Sequence, residues 1–475
     1  MLSLDINYAK PFANLVMALG SFRDARSVTE LCQSPIYHYQ YSSICDAING
    51  LCKDKTEHRK VSELLQLFVL SYLPTADKVY RLNGDTTPIK KPHSPTLAEK
   101  GYIHVPNTVI ESNKPLSIGY RLSTLTLSGL QNWQLPLSME RVENDETPTL
   151  RLLKQLSGIL NSDSKPFKKA DLNIIRLDRA YSNAQFLSPS YHHDNLVSVS
   201  RFRAGQKIWF EKPRNQTGGR NAIYDKEPYY LIEKSRWKDF KRKQEVYQKY
   251  QRSLFELTAD QTSTLFQTTL KGKQLRIEAF LWENVLIRTK NGNKMSDKKL
   301  NIVATKTYNA TTNELVFQEE LFMGIGGKLK DTLSIDEAIY QYQERYAIER
   351  NAARPFFRFN KQNLFLEDFQ TPDLQHLDNW FLIGQTTIWL LYLTAQEAQK
   401  ITPKWQQYLP KEKIENPVIL SLAQAYKSAQ NLFITFDKSP FLPKKYKKGR
   451  PRQKGEKQTP RTQYKVVRKA KKPPV

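Results

Sequence analysis

The chain has 475 residues, 39% hydrophobic and 11% aromatic, which excludes a wholly disordered protein and leaves room for two or three domains. Its formal net charge of +26 and pI near 9.7 favour a polyanionic partner, most commonly a nucleic acid, over a basic surface with no partner. The cysteines, Cys32, Cys45 and Cys52, match no zinc spacing, and their odd number argues against a disulfide framework, so the expected setting is a reducing cytoplasm.

In chain order, residues 1–74 read as a helical N-terminal domain. FANLVMALGSF, VTELCQS, YSSICDAING and VSELLQLFVLSYL carry apolar residues at helical spacing. A DNA-binding module is one reading and generic helical packing the other, because no helix-turn-helix pattern stands out. The opening residues also lack the charged-then-apolar pattern of a signal peptide. At 78 the period changes. KVYRLNGDTTPI (78–89), YIHV (102–105) and PLSIGYRLSTLTL (115–127) read as strands, TLRLLKQLSGIL (149–160) as a helix, and LNIIRLD (172–178) and VSVSRF (197–202) as further strands. Interleaved strands and helices predict a mixed α/β core, its first part spanning 75–204.

Residues 205–333 read as a β-rich insertion, with RIEAFLWENVLIRTK and KLNIVATKTY flanking Asn291-Gly292 as a hairpin. Trp209 and Trp282 within it are expected in the core. Helix returns with SIDEAIYQYQERYAIERNA, opening a second core part over 334–436. The run NWFLIGQTTIWLLYLTA (379–395) is interrupted by Gln385 and short for a membrane span, so a buried helix is expected and no membrane partner. The tail from 437 to 475 reads as disordered and basic. Its last 33 residues carry fourteen Lys or Arg against one Glu. Arg450 and Arg452, around Gly449 and Pro451, form a short minor-groove-like motif.

Two-metal phosphoryl chemistry needs carboxylates that converge on ions about 3.5–4 Å apart. Asp85 and Asp178 close predicted strands, and Glu349 lies on the helix after the insertion. Taken singly, each reads as a turn former or surface charge. Together, three blocks resemble the DDE transposases of bacterial insertion sequences, which have a ribonuclease-H-like catalytic fold. They are GDTTPIKKPHSPTLAEKGYIHVPN with NKPLSIGYRLSTL, LNIIRLDRAYSNAQFL, and YQERYAIE, in which Tyr342, Arg345 and Glu349 keep the spacing Tyr-x2-Arg-x3-Glu. KQNLFLEDFQTPDLQHLDNW (361–380) and the basic tail also resemble that family.

The resemblance implies a ribonuclease-H-like mixed sheet flanked by helices. It implies Asp85, Asp178 and Glu349 as ligands of two Mg²⁺ or Mn²⁺ ions, hydrolytic nicking of element ends, and strand transfer by 3′-hydroxyl attack on target DNA. The partners would be double-stranded DNA and a second copy of the chain, in a homodimer or larger synaptic assembly at the bacterial nucleoid. Lys114, Tyr342, Arg345, Lys361, Arg450 and Arg452 would contact DNA. One departure stands out. The family's Lys follows its Glu by seven positions, whereas position 356 is Phe and Lys361 lies twelve on. Either about five residues are inserted around RNAAR, or Glu349 resembles that Glu from one side only and Glu344 is the nearest other acid. Pro355 should break the helix there. Two other functions stay open: a decayed copy that only binds DNA, and a metal-dependent nuclease without strand transfer.

Overall fold

The computed structural model describes residues 6–72, 78–105, 116–128, 133–163, 165–211, 224–225, 227–233, 252–269, 272–288, 295–317, 320–351, 356–398, 420–436, 453, 455 and 460–467, with 6–8, 188, 346–351, 398 and 435–436 described in backbone only. The chain forms two compact units. One comprises residues 1–74, 86–151 and 347–475; the other comprises 75–85 and 152–346.

In the first unit the helices α1 (Ile6–Leu19), α2 (Ser42–Asn49) and α3 (Lys55–Leu70) gather around a long helix near the other end of the chain. Asp54 starts α3 by accepting from the Thr56 and Glu57 N–H groups at 2.7 and 2.9 Å. The long helix (Leu374–Ala398) buries Trp380, Trp389 and Tyr392 completely or almost so. Several of its buried polar groups are hydrogen-bonded: Asn379 donates to the Ile48 and Cys52 carbonyls, and Trp389 donates to the Pro136 carbonyl at 2.8 Å. This is the core helix that the run 379–395 predicts. Among the described residues no helix is long and apolar enough to cross a membrane.

The strands are β1 (Val79–Lys90), β2 (Gly101–His104), β3 (Leu116–Ser128), β4 (Gln134–Val142), β5 (Leu172–Leu177), β6 (Leu196–Phe202), β7 (Lys207–Ile208), β8 (Tyr229–Tyr230), β9 (Gln261–Thr268), β10 (Gln274–Val285), β11 (Leu300–Asn309) and β12 (Leu321–Gly326). The large mixed sheet runs β2-β3-β1-β5-β6-β12-β11-β10-β9, with β4 also on β3. β1, β3 and β4 come first; β5 follows α4 (Pro148–Leu160) and β6 follows α5 (Ala184–Ser190). β1 pairs parallel with β5, and β5 with β6. That succession is the ribonuclease-H-like arrangement. β4 was hidden in the sequence by Pro136, which sits opposite a register shift at Leu125/Thr126 where a missing N–H does least harm.

The β-rich stretch after 205 extends the sheet of the second unit. β12 pairs antiparallel with β6, and β11, β10 and β9 follow in antiparallel pairs. Trp209 and Trp282 are buried, as expected; the Asn291-Gly292 turn lies outside the described residues. Across one face lies α6 (Ile335–Asn351). Ser334 accepts from the Glu337 N–H at 3.1 Å, and Ile335, Ala338, Ile339 and Tyr342 pack on Ile174, Val199, Val303 and Ile325. The next helix, α7 (Phe356–Asn363), opens directly after Pro355, and α8 (Leu374–Ala398) and α9 (Leu422–Phe436) complete the set. Most of the tail is outside the described residues, but a short piece near 464–467 is ordered by backbone bonds to Pro95 and Lys100.

Candidate active site

The register of the parallel strands brings the two aspartates together. Gly84 pairs with Leu177, and Asp85 and Asp178 each follow by one residue, so the register sets the two aspartates side by side where β5 ends. Both are partly exposed. Gly84 makes this approach possible. A Cβ there would overlap Leu152 Cδ2 and stand 2.9 Å from Leu177 Cδ2, so a larger residue would push β1 away from its neighbours.

Beneath the aspartates runs a layer of buried polar groups that alternation in β1 and β5 directs to that face. Arg176 is fully buried, donating from Nε to Asn83 Oδ1 at 2.8 Å and from Nη1 to Gln341 Oε1 at 3.4 Å and to the Glu344 carboxylate. Burial pulls the guanidinium below its usual range, and the Glu344 charge opposes that shift. Glu344, the other acid the sequence offered, is thus committed to a buried ion pair. On the far side of Asp178 stands Arg201, since Leu177 pairs with Ser200. Arg201 is half-buried and donates to the Tyr342 hydroxyl. Burial raises the Tyr342 pKa; Arg201 and Arg345 act against that rise, and Asp178 adds to it.

The structure therefore gathers Asp85, Asp178, Tyr342 and Arg345 in one place. Tyr342 and Arg345 are buried, at 7% and 3% exposure. Glu349 is in the last turn of α6, on the stripe of Tyr342 and Arg345 at helical spacing, and its side chain is outside the described residues. Lys361 lies in the other unit, where it donates to the Pro88 carbonyl at 2.5 Å and pairs with Glu367 at 3.0 Å. Lys114, Arg450 and Arg452 lie outside the described residues. Sequence reasoning missed Arg176 and Arg201. Their signal was present: a charge inside the apolar strand LNIIRL needs a buried partner, and the penultimate residue of VSVSRF is an Arg on the parity of Val197 and Val199.

Paired carboxylates from neighbouring strands supply hard oxygen donors that suit a divalent ion such as Mg²⁺ or Mn²⁺. Among the described residues no three His, Cys, Asp or Glu side chains are grouped to hold a metal.

Asp178 stands just past the end of β5, as the sequence predicts, but Asp85 lies within β1, which continues to Lys90 instead of closing at the aspartate. A ribonuclease-H-like sheet with acids on adjacent parallel strands defines the class of polynucleotide-cutting enzymes built on that fold. Residues 9–260 of the 475 match the family described as DDE superfamily endonuclease, a stretch that includes Asp85 and Asp178 and stops before α6. The chain belongs to that family, whose members generally use divalent metals. No curated protein matches it.

Proposed function

We propose that the protein is a DNA transposase that cuts the ends of an insertion sequence and joins them to target DNA. The observation that supports this reading is the register that sets Asp85 beside Asp178, with Tyr342 of α6 interacting with Arg201 and Asp178; Glu349 follows Tyr342 and Arg345 at helical spacing in the sequence. Asp85, Asp178 and Glu349 would hold two Mg²⁺ or Mn²⁺ ions, which when bound acidify water and offset charge on phosphate oxygens. The other residues position the substrate. Arg201, held by Tyr342 beside Asp178, would take a non-bridging phosphate oxygen and orient the scissile bond. Arg176 is spent on Glu344 and Gln341, so it supports the strand ends without touching DNA. Water, and then a freed 3′-hydroxyl, would attack phosphorus in line, displacing the neighbouring oxygen without a covalent protein intermediate.

Lys114 and the tail arginines Arg450 and Arg452 would neutralise phosphates, so affinity should fall steeply with salt. The test is metal-dependent cleavage and joining of DNA carrying the element's own ends, comparing wild type with Asp85→Ala, Asp178→Ala and Glu349→Ala. Loss of both reactions in all three variants supports the reading. Cleavage without joining would reassign the protein as a nuclease. Salt-sensitive binding with no cleavage by wild type would mark a copy that only binds DNA.

A further inference from the structure

The two strands that end the sheet are guarded differently. At β2, in the first unit, the chain covers its own edge: the Val467 N–H donates to the Lys100 carbonyl at 2.7 Å, Gly101 bridges Val467 in parallel, and the Tyr464 N–H donates to the Pro95 carbonyl at 3.0 Å. At β9, in the second unit, β10 pairs on one side, and among the described residues nothing pairs on the other. The β9 sequence, QTSTLFQT, has no charge, proline or glycine, and its register with β10 has no bulge. Edge strands are ordinarily protected by such devices, because a bare edge is a template for further pairing.

The face of β9 turned away from α6 is also apolar at its centre. Ser263 and Gln267 bond to Asp336 and Gln343 of α6, so Thr262, Thr264, Phe266 and Thr268 point the other way, and all four are exposed. Phe266 is 67% exposed. Register carries its row through Arg276 and Tyr308 to Leu315, with Phe317 two residues on; Leu315 and Phe317 are 47% and 59% exposed.

We infer that β9 pairs antiparallel with β9 of a second copy of this chain across a two-fold axis. Charge selects that occupant. A chain of net charge +26 repels its own copies over most of its surface, and an uncharged strip is where they can approach. A polyanion finds no cation along β9. The flanks select the direction. Asp260 and Glu283 stand together at the start of the strand, and Lys273 stands across the turn from its end. Antiparallel pairing sets the acidic end of one copy against the basic end of the other, whereas parallel pairing would set like against like. Antiparallel pairing of identical strands also closes on itself, which limits assembly to a dimer.

The test reads mass and not cleavage, so it stands apart from the proposed function. In 0.3 M salt, sedimentation equilibrium of the full chain should give twice 55.3 kDa. Thr264→Lys places a charge opposite its own counterpart near the axis and should raise the dimer dissociation constant at least ~10-fold. Tyr102→Lys, an exposed position on β2, should leave it unchanged. An unchanged circular dichroism melt would show that each variant is folded; Phe266→Ser repeats the test without adding charge. A monomeric wild type, a dimer indifferent to both β9 variants, or equal loss in Tyr102→Lys would overturn the proposal. So would Phe266→Ser lowering DNA affinity with no change in mass, since the strip would then serve nucleic acid.

Discussion

The two halves of β1 lie in different units and are supported by different cations. From Val79 to Gly84 the strand pairs with β5, and Asn83 accepts from the fully buried Arg176. Just past its other end Lys91, 1% exposed, donates to the Glu367 and Phe369 carbonyls, while Lys90 and Lys361 pair with Glu367. Arginine stays charged at any pH the protein meets, so the support beneath the aspartates does not titrate. Lysine yields to burial: the Lys91 pKa is lowered to about 8, with Asp368 and Glu367 opposing the shift. The half that carries the acids rests on a pH-insensitive charge, and the other half on one that switches within reach of mild alkali.

The largest effect expected at the first half is catalytic. Asp85→Ala or Asp178→Ala should lower metal-dependent cleavage by ~10³-fold or more, about 4 kcal/mol at the transition state, with DNA binding retained; a loss under tenfold in a gel cleavage assay would remove either residue from the site. Next comes Arg176→Met, which strands Glu344 and leaves Asn83 and Gln341 without their donor. It should cost about 3 kcal/mol in urea unfolding, and Arg176→Met with Glu344→Leu should recover much of that loss if the ion pair is its source. Gly84→Ala should cost about 2 kcal/mol by crowding Leu152 and Leu177, and should reduce cleavage as well because it displaces Asp85.

The smallest effect sharpens the contrast. Lys91 binds its proton less tightly in the folded chain, about 8 against the ordinary 10.5, so the unfolded chain holds more protons between those values. Stability should therefore rise with pH through that window. Wild type should gain about 1 kcal/mol relative to Lys91→Met between pH 8 and pH 9. Arg176→Met, measured over the same range, should show no difference in slope from wild type.

Much of this was legible in the chain because local pattern and final structure agree. Alternation announced β1, β3, β5 and β6 within a residue or so, and Asp178 stands just past β5 as read. Helical spacing announced α6 and α8, while the helix break expected at Pro355 lies outside the described residues. Strand β4 escaped because Pro136 reads as a breaker, and only its place opposite an irregularity in β3 makes it tolerable. Arg201 escaped because nothing in VSVSRF says which strand lies beside it.

By itself the sequence determined the element types and the basic charge, since these follow from residue period and composition along one chain; the acids Asp85, Asp178 and Glu349 are singled out by the family resemblance and not by period or composition. Tertiary structure decided that residues before 75 belong with 86–151 and 347–475, and that the β-rich stretch extends the sheet. It also decided that Arg345 and Tyr342 lie buried and that Arg201 stands beside Asp178. These outcomes depend on register between strands and on which face a helix covers. Such pairings form between residues far apart in the chain, so local periodicity fixes each element's own faces but not the neighbour that meets them.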